Sequence, residues 1–220
     1  MVDAKRLLDQ VLGGAGSNPN LRGMGVGAVA GGLAAILLGT KSGRNLGGTA
    51  LKLGGLAAVG ALAYKAYSDW QAGKAADTTS TAPPPLMLPA PSGTPFNPGD
   101  EAVQQSLARG LLRAMIAAAK SDAHIDAQEQ TRIFAEMDKL ELTADDKVFV
   151  MDELRAKLDI DAVAAAATSP EIAAEIYAAS LLAIDPDNAA ERGYLTMLAA
   201  RLKLDDKLVA HLHDSVARSS

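Results

Sequence analysis

The sequence predicts an all-α protein: a Gly-rich helical membrane segment and a disordered Pro-rich linker precede a seven-helix bundle with an internal duplication. Three observations lead there. Apolar residues make up 49% of the 220 residues but aromatics only 4%, so Ala, Leu and Gly carry that fraction. Such a composition favours helix over sheet. Fifteen of the twenty glycines fall between Gly13 and Gly60, which sets the N-terminal part apart from the rest. From Asp100 onward, apolar residues recur at helical spacing behind capping residues.

The first element, residues 1–22, is an amphipathic segment in which Met1-Val2-Asp3-Ala4-Lys5-Arg6 leads into Leu7, Leu8, Val11 and Leu12. Its apolar run comes too late, and lacks the small-residue site, for a cleavable signal peptide. Absence of cysteine excludes disulfide scaffolds, thiol catalysis and Cys-based metal centres. A net charge of −5 with mixed signs leaves no basic stripe, so nucleic acid is not an expected partner.

Residues 23–76 read as a membrane hairpin. Gly23 to Thr40 gives 18 residues without a charge, and Asn45 to Tyr64 carries only Lys52, which can snorkel. Glycines at 23, 27 and 31, and again at 39, 43 and 47, share a helix face on which another backbone can approach closely. Tyr64, Lys65, Tyr67 and Trp70 follow, a grouping suited to a membrane–water interface. Bilayer lipid is thus the expected partner of residues 23–70, against two plainer readings: a flexible linker, or a helix buried in a soluble assembly. As a hairpin, the outer flanks (Lys5, Arg6, Arg22, Lys65, Lys74) outweigh the loop (Lys41, Arg44, Lys52), placing both ends in the cytoplasm. If only the second stretch spans, the helical domain lies outside. Gly39-Thr40-Lys41-Ser42 is not a P-loop, because no Gly directly precedes the Lys and no strand leads into it.

Residues 77–99, with Pro83-Pro84-Pro85, form the linker, expected to be extended and mobile. Residues 100–220 form the bundle. The first helix, Glu101 to Ser121, has Val103, Leu107, Leu111 and Met115 in register. Asp126 caps a second, to about Leu140, and Thr143 with Asp146 starts a third, to about Leu158. A short Ala-rich helix runs from about Ile160 to Ala167, and Ser169-Pro170-Glu171 starts the fifth. Asn188 with Glu191 starts the sixth, and Asp205 the seventh, which ends near Ala217. Connections of two to six residues imply a compact bundle.

Glu129–Leu154 can be laid over Glu191–Val216, matching Ile133 to Leu195, Leu140 to Leu202 and Asp145-Asp146-Lys147 to Asp205-Asp206-Lys207. Each copy follows an acidic turn: Asp122 to Asp126 in one case, Asp185 to Asn188 in the other. On LLRAMIAAAKSDAHIDAQEQ and LLAIDPDNAAERGYLTMLAARLKL, the chain resembles the bacterial inner-membrane proteins of unknown function typified by YebE. Through D-x-x-I-D-x-x-E it also resembles the wider TerB-like (tellurite-resistance) helical domain. The resemblance covers Asp100 to about Asp214 and implies an all-α TerB-like domain whose acidic turns have been linked to divalent metal. The matching positions are Asp122, Asp126 and Glu129, with Asp185, Asp187 and Glu191 in the second copy. Asp122-Ala123 departs from the frequent Asp-Gly, a loss that distorts a turn needing a left-handed residue.

Carboxylates without Cys or paired His suit Ca²⁺ or Mg²⁺. The plainer reading is that Asp126 with Glu129, and Asn188 with Glu191, are capping boxes that satisfy free backbone N–H groups. Both readings stand at this point. An EF-hand is excluded by the missing 12-residue loop. His124 is a loop residue, and His211 and His213, two apart on a helix, face different sides. No nucleophile–base order is recognisable, so no enzyme is expected. The expected function is a membrane-anchored, non-catalytic TerB-like interaction module with a protein partner, tuned by divalent cations. It sits at the bacterial inner membrane with its helical domain in the cytoplasm. The alternative is a divalent-metal-binding factor for tellurite or envelope stress.

Overall fold

The computed structural model describes residues 2–13, 55–76, 89–121, 142–184 and 189–219. Among these every regular element is helical. The first is α1 (Ala4–Gly13), preceded by Asp3, whose carboxylate accepts the Arg6 N–H at 3.0 Å and the Gln105 amide at 2.8 Å. Helix α2 (Gly55–Gln71) follows, then α3 (Glu101–Ala119), capped by Asp100 accepting from Val103 N–H. Helix α4 (Ala144–Arg155) has a full capping box between Thr143 and Asp146. The fully buried Asp146 carboxylate also accepts the Asp3 N–H at 2.9 Å, tying the start of α1 to the start of α4. The short α5 (Ile160–Ala164) is capped by Asp159, and α6 (Pro170–Leu182) by Ser169 with Pro170 at its first position. Helices α7 (Ala189–Arg201) and α8 (Asp206–Ser219) complete the order.

Helix α6 is the central element. Ten of its thirteen residues are buried, as expected of a helix that is apolar all round. It packs against α3, α2, α8 and α7, while α1 lies across α3 and α2.

Two expectations change. The described part of the second apolar stretch, from Gly55, does not stand apart from the bundle. Leu56, Val59 and Leu62 are core residues, and α2 packs on α6 and α8. Small and apolar side chains give the same sequence signal in a lipid-facing helix and in one buried among neighbours. No described helix is long and apolar enough to cross a membrane. The described end of the linker, residues 89–99, is a folded turn rather than a mobile tether. Asn97 Nδ2 donates to the Ala90 carbonyl at 2.9 Å and Thr94 Oγ1 to that of Pro91 at 2.7 Å. Phe96, 4% exposed, packs its ring on Tyr64 and Tyr67, with centroids 5.7 and 5.6 Å away.

Six of the seven expected helices fall among the described residues, and each begins at, or one residue after, the residue expected to open it: Glu101, Thr143, Ile160, Ser169, Asn188 and Asp205. The expected helix from Asp126 to Leu140, the first half of the duplicated unit, lies outside the described residues. The second halves, α4 and α8, differ in how their matched acids act. Asp146 reciprocates a cap, whereas its counterpart's neighbour Asp205 accepts the Lys207 N–H at 2.9 Å.

Candidate functional site

Five of the six residues expected to hold a cation, Asp122, Asp126, Glu129, Asp185 and Asp187, lie outside the described residues, as does His124. Glu191 is placed in the first turn of α7, only 9% exposed, where a carboxylate complements the helix dipole. Among the described residues no group of three or more His, Asp or Glu is placed to hold a metal ion. His211 and His213 do face different neighbours. His211 Nε2 lies 3.1 Å from the Lys74 carbonyl, and His213 Nε2 lies 2.9 Å from the Tyr177 hydroxyl. Burial pushes the His213 pKa down and that of Tyr177 up to about 12, so both stay neutral near pH 7.

Among the described residues there is a groove of ≈ 410 Å³ where the C-terminal part of α2 meets two turns, the one before α6 and the one before α8. Its aromatic side is Tyr67 and Trp70, whose ring centroids are 5.4 Å apart. Pro170, Ala173 and Leu208 supply apolar wall, and Arg201, Lys203 and Asp205 the polar rim. Trp70 Nε1 donates to Asp205 Oδ1 at 3.2 Å, joining α2 to the turn before α8.

That turn ends α7 in a Schellman arrangement. Leu204 N–H reaches the Ala199 carbonyl at 3.0 Å and Lys203 N–H that of Ala200 at 3.2 Å. The position that normally takes Gly is Lys203, at φ 54°, a non-Gly residue in the left-handed region. Holding a side chain there costs roughly 1 kcal/mol. Arg201 is paired with Asp161, whereas Lys203 makes no ion pair among the described residues.

A second feature escaped sequence reasoning. Glu175, in the middle of α6, is fully buried, and neither carboxyl oxygen has a hydrogen-bond partner among the described residues. Desolvation raises its pKa to about 8, so at neutral pH it is mostly the uncharged acid. Gly60 of α2 makes room for it: a Cβ there would stand 3.1 Å from Glu175 Oε1 and 2.3 Å from the Phe96 carbonyl oxygen. The signal was available as one acid in the apolar run Ile172-Ala173-Ala174-Glu175-Ile176-Tyr177.

A family model described as a protein of unknown function (DUF533) matches residues 23–216, across the Gly-rich stretch, the linker and the bundle. A Yersinia enterocolitica protein, described as an uncharacterized protein in the ampR 5' region, is 31% identical over 112 residues. That alignment takes in 51% of this chain and 77% of the relative. No solved structure matches the chain significantly.

Proposed function

The chain belongs to the DUF533 family of proteins of unknown function, and we propose that it is a non-catalytic interaction module built on a TerB-like helical bundle. The bundle sits on the cytoplasmic face of the bacterial inner membrane, anchored by the Gly-rich stretch, as the resemblance to the YebE-type proteins implies. The groove beside Trp70 takes an extended, acidic segment of a partner protein that carries proline or leucine. Aromatic rings beside an apolar wall suit extended Pro- or Leu-containing chains, whose preformed backbone loses little entropy on docking. The observation that carries this reading is Lys203: a lysine is held in a glycine conformation at the rim, its ammonium unmatched by a carboxylate among the described residues.

Trp70 is the sole tryptophan of the chain and lines the groove, so its fluorescence reports occupancy directly. Titration with a soluble peptide of alternating Pro, Leu and Glu is expected to give a saturable shift. Lys203→Glu is expected to weaken it about tenfold, the loss of one well-placed charge contact. An equal response to the Lys-for-Glu peptide, or none to either, would sink the groove assignment. Ca²⁺ or Mg²⁺ at the acidic turns around Asp122–Glu129 and Asp185–Glu191 tunes this binding; calorimetry on the whole chain tests that, and no heat at millimolar cation removes it. The metal-first stress-response reading gains no separate support from the described residues.

A further inference from the structure

Three parts of the fold meet over the middle of α6: the Glu175 carboxyl, Gly60 of α2, and the backbone of Phe96 in the turn at residues 89–99. The carboxyl is fully buried, and neither oxygen has a hydrogen-bond partner among the described residues. A Cβ at Gly60 would stand 3.1 Å from Glu175 Oε1 and 2.3 Å from the Phe96 carbonyl oxygen, so both oxygens crowd one point. A neutral acid is tolerated there. An ionised one sets a full negative charge, out of water, near the negative end of a peptide dipole.

None of the titratable or charged groups described on the elements packed against α6 bonds to this carboxyl. On α2, Tyr64 packs on Phe96, Tyr67 lies beside Glu171, and Lys65 and Lys74 pair with Asp69. On α3, Arg113 pairs with Glu153 and Arg109 lies over the Phe149 ring. On α8, His213 meets Tyr177, His211 meets the Lys74 carbonyl, and Arg218 pairs with Asp214. Tyr194 of α7 adjoins Ser180, and Arg201 pairs with Asp161 of α5. The turn itself has no charged residue. A proton is therefore the partner that the acid holds, and desolvation raises its pKa to about 8.

Of the three parts, the turn is the one free to move. Leu56, Val59 and Leu62 fix α2 in the core, and ten of the thirteen α6 residues are buried. The turn is held by the Phe96 ring on Tyr64 and Tyr67, by the buried Ala90, and by Gln104 Nε2 donating to the Pro98 carbonyl at 2.5 Å. Tyr67 lies 5.4 Å from Trp70, and both rings line the groove.

We propose that Glu175 is a proton latch: the protonated acid keeps the 89–99 turn shut, and its ionisation lifts Phe96 away and loosens the Tyr67–Trp70 wall of the groove. The last step rests on the reading of that groove as a peptide site. The acid titrates near 4.5 in water and near 8 when closed in. Opening of the turn therefore grows about tenfold per pH unit between those values and levels off above 8.

Gly93 N–H donates to the Asn97 carbonyl at 2.8 Å and Asn97 N–H to that of Thr94 at 3.0 Å, so hydrogen exchange at these two amides reads the turn. In the full chain the ratio of their exchange rates, parent over Glu175→Gln, is expected to rise about tenfold per unit from pH 6.5 to 8. Taking the ratio removes intrinsic exchange and any contribution of His211. Both amides are also expected to open about tenfold or more ahead of those of residues 176–182 on α6. A flat ratio means that the turn moves without exposing the acid, and equal opening of turn and α6 means that the whole bundle unfolds. Either overturns the latch. If Glu175→Gln does not fold, the slope is read in the parent after division by the exchange rates of unstructured peptide.

Trp70 fluorescence with the Pro-Leu-Glu peptide at pH 6.5 and 9 reads the groove separately. The parent is expected to lose affinity about tenfold between them and Glu175→Gln to keep it. Equal loss in both overturns the coupling and leaves the latch intact. No binding by either protein at either pH overturns the groove and its coupling together, while the latch is decided by exchange.

Discussion

At the scale of single residues, burial without a partner governs Glu175. In the unfolded chain its carboxyl titrates near 4.5; in the bundle desolvation moves it to about 8. Between those values the unfolded state releases a proton that the folded state retains, so stability is full below about pH 4.5 and is lost as pH rises through 8. At about 1.4 kcal/mol per pH unit the loss is of the order of 5 kcal/mol. Glu175→Gln is expected to remove most of this slope, melting well above the parent at pH 8 and close to it at pH 4.5. A parallel pair of melting-temperature profiles would show that the acid is solvated. His213 acts in the opposite sense. Its lowered pKa means that stability present above about pH 6.5 is lost as acid protonates it, so Glu175→Gln should expose that acid limb clearly. Lys203 is the other informative residue. Lys203→Gly relieves the left-handed backbone and is expected to stabilise the fold by about 1 kcal/mol while weakening peptide binding in the groove, a trade that denaturation and Trp70 fluorescence read separately.

At the scale of elements, helix ends and helix partners behave differently. Caps work over three or four residues: Ser169 and Thr143 act where the sequence places them, and Asp100 caps the helix expected from Glu101. Replacing Ser169 by Ala should cost about 1 kcal/mol, measurable by denaturant unfolding. Partners are non-local. The turn at residues 89–99 reads as tether because Pro and Gly make up six of its eleven residues, whereas Phe96, docked on Tyr64 and Tyr67, pins it to α2. Phe96→Ala is expected to cost about 3 kcal/mol through the cavity it leaves and to raise hydrogen exchange across 89–99. Unchanged stability would mean that the turn holds without its ring. Gly60 also belongs to this scale, since α2, α6 and the Phe96 carbonyl meet where it has no side chain.

At the scale of the whole molecule, the bundle begins before residue 100. Helices α1 and α2 cover α3, α6 and α8, and α6 is buried over most of its length partly by them. A fragment of residues 100–220 is therefore expected to expose the α2-facing side of α6, bind a hydrophobic dye and melt without a sharp transition. The whole chain should melt cooperatively. A fragment as cooperative as the whole would show that α1 and α2 are accessory.

Much of this was legible beforehand. The all-α class and most helix starts follow from short-range causes: side-chain entropy, apolar spacing, and caps that reach their own helix's first free N–H groups. What lay beyond reach depends on contacts between residues far apart in the chain. Whether Gly55–Gln71 faces lipid or protein was settled by α6 and α8, more than 90 residues away. Glu175 reads as one acid in an apolar run until α2 and Phe96 close over it, and the groove exists only where Trp70 reaches Asp205. Local sequence determined which segments are helices and where they start. Tertiary packing alone decided which faces lose water, and with that the charge state of Glu175, the concavity beside Lys203, and the contact of α1 with the start of α2.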